Sequence, residues 1–141
     1  MLRGDRKPDV RFAGYAAVFD RIDNGGDVIR RGAFARSLQN GRTIPLLWQH
    51  RTGVVIGEIE ALAEDAKGLR VIARVKGHAS EGRVAGLIEN GRLNGLSFGY
   101  RVRQSRQLEG TRELTDLDLV EVSVVSKPMQ PRALIHAVRP G

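Results

Sequence analysis

Gly95-Leu96-Ser97-Phe98-Gly99-Tyr100 sets one small hydroxyl residue between two glycines, inside a run that reads as a β-strand. Alternate strand residues face opposite sides. Leu96, Phe98 and Tyr100 therefore share a face suited to a core, while Gly95, Ser97 and Gly99 share a face stripped of side chains around one oxygen nucleophile. A glycine inside a strand weakens it and marks a bulge, a tight barrel corner or a place where another backbone comes close. From the hexapeptide alone Ser97 is either incidental to such a corner or a nucleophile with room for a polypeptide substrate.

Outward from this stretch the chain alternates short strands with a few helical insertions. Arg11 to Phe19 reads as a first strand with Gly14 at a bulge, and Asp20 to Asp27 as a glycine-containing loop. Arg31 to Gln39 has Phe34 and Leu38 at helical spacing, and Ile44 to Trp48 is a short apolar run ending in Gln49-His50. Val54 to Ala63 and Leu69 to Lys76 read as neighbouring strands joined by a charged turn. Ser80 to Asn90 has the spacing of a helix, with Ser80 as N-cap and Asn90-Gly91 as the stop. The Ser97 strand covers Leu93 to Arg103, and a polar segment follows it. Arg112 to Val125 and Ala133 to Val138 are the last strands, separated by the proline-containing loop Lys127 to Pro131. Many short strands with two or three helices predict a mostly β protein, a closed or nearly closed β-barrel with peripheral helices. At 141 residues one domain is expected, over 11–139, after an N-terminal extension at 1–10.

Composition narrows the function classes. Without cysteine there is neither a disulfide framework nor a thiolate metal site. No apolar stretch reaches membrane-spanning length, and the first residues do not form a signal peptide, so a soluble cytosolic protein is expected. The net charge of +7 comes mostly from arginine, including Arg30, Arg31, Arg101, Arg103, Arg106 and Arg112. These are scattered and aromatics are few, which favours a solvated basic surface over a nucleic-acid groove. Asp20, Asp23 and Asp27 match no calcium-loop spacing and read as turn chemistry. No phosphate loop or zinc signature is present, and neither a metal nor a cofactor is expected.

A serine attacks a carbonyl only when a base takes its proton, most often a neutral histidine. Of the three histidines, His78 lies in a polar turn and His136 in the terminal strand, both most simply surface residues. His50 ends an apolar strand, a rigid place for an imidazole beside a cleft, though it also suits a structural histidine. Glu121 interrupts Leu117-Asp118-Leu119-Val120-Glu121-Val122-Ser123-Val124-Val125, where an unpaired charge is costly. It is either the carboxylate that orients the imidazole, an edge residue facing water, or a partner for an arginine. Strict alternation groups Glu121 with Ser123 and Val125, and Val120 with Val122 and Val124. Asp116 and Asp118 are weaker candidates for the orienting role.

In order along the chain, these pieces resemble the prohead maturation proteases of tailed phages, of the HK97 type. The resemblance runs from Gly14-Tyr15-Ala16-Ala17-Val18-Phe19 through Gly26-Asp27, Gly32-Ala33-Phe34, Leu47-Trp48-Gln49-His50, Ile56-Gly57 and Gly68-Leu69. It continues through Gly91 to Tyr100 and Asp118 to Val125, with Pro128. The resemblance implies a serine endopeptidase related to the herpesvirus assemblins, a β-barrel ringed by helices. Ser97 would be the nucleophile and His50 the base. Glu121 would take the third role, where assemblins have a second histidine, and the loop Ser126 to Arg132 would support the oxyanion through Arg132. The implied substrates are the major capsid protein with its scaffold region, and the protease itself. A second copy of the chain is a further implied partner, and the implied location is the immature capsid inside the host bacterium. The rival readings are a non-catalytic capsid assembly protein and a basic β-barrel that binds nucleic acid.

Overall fold

The computed structural model describes residues 8–77 and 83–141. Along the chain the elements are β1 (Val10–Val18), β2 (Asp27–Ile29), α1 (Ala35–Leu38), β3 (Pro45–Trp48), β4 (Val55–Glu64), β5 (Gly68–Val75), α2 (Arg83–Glu89), β6 (Gly95–Leu108), β7 (Thr111–Val125) and β8 (Ile135–Pro140). All the strands join one curled sheet, in the order β2-β7-β3-β4-β5-β1-β8, with β6 also paired to β7. Because β6 runs antiparallel along the whole of β7, the short parallel strands β2 and β3 share the other edge of β7, at Arg112–Leu114 and Val122–Val124 respectively.

The curl nearly closes at the start of β6. Gly95 bridges Leu134, the Leu96 N–H donates to the Ala133 carbonyl at 2.9 Å, and the Ile135 N–H donates to the Asn94 carbonyl at 2.8 Å. The next carbonyl, Leu134, accepts the Tyr15 N–H of β1. This is the mostly β, nearly closed architecture the strand spacing predicts. Gly14 sits at the expected bulge, where the β1–β8 register shifts. A Cβ there would lie 2.6 Å from the Leu134 carbonyl oxygen.

The core forms where the apolar faces of β1, β5, β6 and β7 meet the helices. Leu96, Leu114, Leu117 and Val122 are fully buried, and the Phe98 ring meets Phe34 edge-on with centroids 5.2 Å apart. Strict alternation fails twice in β7, at Thr115 and at Val120, and the second break bears on the site. Gly99 pairs with Glu121 but Tyr100 pairs with Leu119, so Val120 is the extra residue of a bulge. That bulge lets Leu119 and Val122 both reach the core while Glu121 and Ser123 keep to the opposite side.

Two departures from the expected bounds stand out, and one expected helix is described only in part. The helix expected over Arg31 to Gln39 is only the turn Ala35–Leu38. Its entry is held from outside, because the Glu64 carboxylate accepts the N–H groups of both Gly32 and Phe34 at 2.8 Å. The polar segment after Arg103 continues as strand, so that β6 and β7 form a long hairpin turning at Glu109-Gly110. The β6 strand of this arm is exposed on both faces, and cross-strand charge pairs support it, such as Arg106 with Glu113 at 2.8 Å. The second expected helix is described from Arg83 to Glu89; its Ser80 N-cap with Glu81, and His78, lie outside the described residues.

Several of the arginines are engaged with acids of the same chain. Arg30 binds Asp20 and Glu113, Arg112 binds Asp27, and Arg36 binds Asp116 and Asp118. These pairs account for part of the scattered charge. They also remove Asp116 and Asp118 as candidates for orienting the histidine. The hydrogen bond from Arg112 holds the Asp27 carboxyl below its ordinary range. Asp23 accepts the N–H groups of Gly25 and Asp27, so the acidic loop is turn chemistry as expected.

Candidate active site

β3 delivers His50 in a strained turn. Gln49 and His50 have φ of 51° and 60°, and the Arg51 N–H donates to the Trp48 carbonyl at 2.9 Å. Two positive φ values between such a pair are the sign pattern of a type I′ turn, a conformation in which non-glycine residues are uncommon. The turn is anchored to the end of β7. The Gln49 N–H donates to the Val124 carbonyl at 3.0 Å, and the Gln49 side-chain amide exchanges two hydrogen bonds with Ser126. The His50 N–H donates to Ser123 Oγ at 3.1 Å.

Parallel pairing of β3 with β7 then sets the imidazole beside Glu121. Glu121 Oε2 lies 2.7 Å from His50 Nδ1, and Glu121 Oε1 accepts the Ser123 hydroxyl, also at 2.7 Å. Glu121 is therefore neither an edge residue facing water nor an arginine partner: it is 8 % exposed and bound to a histidine. The hydrogen bond to Glu121 raises the His50 pKa above the usual imidazole value, against the opposing effect of partial burial. Since a carboxylate only accepts, Nδ1 carries the proton and Nε2 is the nitrogen left as a base.

Ser97 reaches the same place from β6. It is paired across the ladder with Ser123, and Gly99 is paired with Glu121. His50 and Ser97 line a common pocket of about 120 Å³ together with Asp23, Tyr100, Met129 and Gln130. Loop 126–132 is fixed against β1 by the buried Gln130 amide, which accepts from the Val18 N–H and donates to the Val18 carbonyl. It is tied to the acidic loop by the Asn24 N–H, which donates to the Met129 carbonyl. Arg132 lines a neighbouring depression with Val18, Asp20, Arg21, Ile22 and Pro131, not the Ser97 pocket. His136 is exposed on β8 with its ring against Tyr15.

The glycines of the hexapeptide make room for other parts of the same chain. A Cβ on Gly99 would overlap the Glu121 carboxylate, and one on Gly95 would lie 2.6 Å from the Val125 carbonyl oxygen and 3.0 Å from Pro128. The cleared face accommodates the protein's own carboxylate and loop. Because Glu121 is held at both oxygens, it cannot yield to a methyl group without leaving His50. Gly99→Ala is expected to lower turnover about 10²-fold or more, a misplacement effect, in a protein that still folds. Steady-state kinetics with a circular dichroism melt checks this, and unchanged turnover would count against it.

A model of the family described as "Caudovirus prohead serine protease" matches residues 3–140. The chain belongs to the caudovirus prohead serine protease family. It is 32 % identical over 142 residues to the prohead protease of Enterobacteria phage HK97, covering 96 % of this chain and 63 % of that protein. A 56-residue part, 40 % of the chain, is 36 % identical to 9 % of the capsid scaffolding protein of equine herpesvirus 1. The chain thus spans less than two thirds of the length of these curated relatives.

Among solved structures, the KSHV protease in complex with a hexapeptide phosphonate inhibitor superposes with a TM-score of 0.66 at 11 % identity, covering 94 % of this chain and 66 % of that one. The bacteriophage T4 capsid assembly protease gives the same TM-score at 16 % identity, covering 86 % and 85 %. At such identities the likeness is one of fold, and the fold is the one that the resemblance to assemblins implies.

Sequence reasoning missed Ser123, Gln49 and Ser126. Ser123 shares a strand face with Glu121 by parity, and a hydroxyl in a valine run was the available signal. The roles of Gln49 and Ser126 depend on a turn conformation that the sequence does not mark with glycine.

Proposed function

We propose that this chain is the catalytic domain of a serine endopeptidase that cleaves capsid-protein or scaffold segments, and itself, within an immature phage capsid. Ser97 is the nucleophile, His50 the general base and acid, and Glu121 the carboxylate that orients His50. The observation carrying this reading is the 2.7 Å contact between His50 Nδ1 and Glu121, which leaves Nε2 as the basic nitrogen in a pocket His50 shares with Ser97.

In the acylation step His50 Nε2 takes the Ser97 hydroxyl proton as Oγ bonds to the peptide carbonyl carbon. The carbonyl electrons move to oxygen. They return as the C–N bond breaks, and the imidazolium gives its proton to the leaving amine. Water then attacks the acyl-enzyme with His50 again as base, releasing the carboxylic acid and restoring the Ser97 hydroxyl. Glu121 stabilises the imidazolium in both halves. Backbone N–H groups support the oxyanion; Arg132, which lines the neighbouring depression, is not needed for that step.

The capsid protein and its scaffold region as substrates are supported by family membership and by relatives named prohead protease and capsid scaffolding protein; a second copy of the chain is a further proposed partner. A serine-reactive fluorophosphonate is expected to label the purified chain at Ser97 and nowhere else, read by mass spectrometry of the digest. Absence of label on folded protein would favour a non-catalytic assembly protein.

A further inference from the structure

We propose that Ser123 is a positioning residue of this site: its hydroxyl joins the backbone of His50 to the carboxylate of Glu121 and so holds the imidazole in its working orientation. The proposal rests on the function proposed above.

The three hydrogen bonds form a closed circuit. The His50 N–H donates to Ser123 Oγ, the Ser123 hydroxyl donates to Glu121 Oε1, and Glu121 Oε2 returns to His50 Nδ1. Its polarity is fixed at every member. A backbone N–H can only donate and a carboxylate can only accept, so the single hydroxyl hydrogen of Ser123 goes to Glu121. Both carboxylate oxygens are then engaged, and the second faces the ring nitrogen. One residue of β3's turn is thereby gripped twice, at its main chain and at its ring, by two residues on the same face of β7.

Ser123 also stands on the rung that aligns the two sides of the site. It pairs with Ser97 of β6 on one side and with Leu47 of β3 on the other, three residues before His50. Its residue exposure is 0 %, so water has no path to replace the hydroxyl. The turn it grips carries two positive φ values that cost free energy and need outside support. A serine present only to satisfy its own burial needs one partner; this one connects the two residues that must stay aligned.

The test compares the wild type, Ser97→Ala, Ser123→Ala and Ser123→Cys. Each is measured for fluorophosphonate labelling rate per folded molecule, for melting temperature, and for the downfield NMR resonance of the His50 Nδ1 proton. Ser123→Ala is expected to label about 10²-fold more slowly per folded molecule and to lose or broaden the ring-proton resonance. Ser123→Cys, with a weak S–H donor, falls between, and supplies the answer if the alanine variant does not fold. A labelling rate per folded molecule equal to wild type, or an intact resonance in the variant, overturns the proposal. If the wild type itself is unlabelled, the proteolytic function fails. The resonance then still decides whether Ser123 positions His50.

Discussion

Ser97→Ala is expected to abolish processing of a co-produced capsid precursor while the protein keeps its fold. The side chain is 8 % exposed, and the substitution removes one oxygen from a β6 position flanked by glycines, so the packed core is untouched. Stability should change by no more than about 0.5–1 kcal/mol, the scale of a substitution that creates neither a cavity nor an unpaired charge. Turnover should fall by about 10⁴-fold or more, because His50 then has no attacking oxygen to activate. Gel analysis of the capsid precursor beside a melt of the purified variant measures both. Processing at the wild-type rate would remove Ser97 from the chemistry, and with it the reading of β6 as the nucleophile strand.

Glu121→Gln is the second large effect, and its cause is the proton inventory. The Ser123 hydroxyl accepts from the His50 N–H, so its hydrogen needs an acceptor, and the glutamine carbonyl oxygen takes that place. The amide NH₂ then faces His50 Nδ1, which must accept, moving the ring proton to Nε2. An imidazole protonated at Nε2 cannot take the Ser97 proton. Turnover should drop about 10³- to 10⁴-fold, the scale for a wrong histidine tautomer. The pH profile should change in a defined direction. In the wild type the hydrogen bond to Glu121 raises the His50 pKa, so the acidic limb of kcat/KM lies above the ordinary imidazole value of about 6.5. In Glu121→Gln the limb should move down. Stability follows the same linkage with its own sign. His50 gains a partner for its protonated form on folding, so that contribution is complete below about pH 6.5 and disappears as pH rises through the folded value. The melting difference between wild type and Glu121→Gln should therefore narrow over that interval. An unshifted limb with normal turnover would leave His50 without an orienting carboxylate, since Asp116 and Asp118 are both held by Arg36.

How far the sequence reached depended on whether a residue's role is local. Glu121 stands out because a charge inside a valine run needs a partner, and His50 because it terminates an apolar strand; both are visible in a one-dimensional pattern. The fold class followed from strand spacing in the same way. The outer half of β6 did not, because Arg103-Gln104-Ser105-Arg106-Gln107 meets water on both faces and therefore has no apolar alternation. The Val120 bulge was hidden too, since the register of β7 is decided by its partner across the ladder. Least legible was the turn at Gln49-His50. Positive φ in two residues with ordinary side chains is imposed by Ser123, Val124 and Ser126, more than 70 positions away along the chain.

The seam at the start of β6 has a temporal meaning. Asn94 and Leu96, immediately before the nucleophile, are fastened by Ala133 and Ile135, which follow every residue of the proposed triad in the chain. A polypeptide emerging from the ribosome thus carries its serine, imidazole and carboxylate well before the segment that buttons down the nucleophile strand. The bonds that fasten the nucleophile strand therefore cannot form until synthesis has passed every residue of the proposed triad.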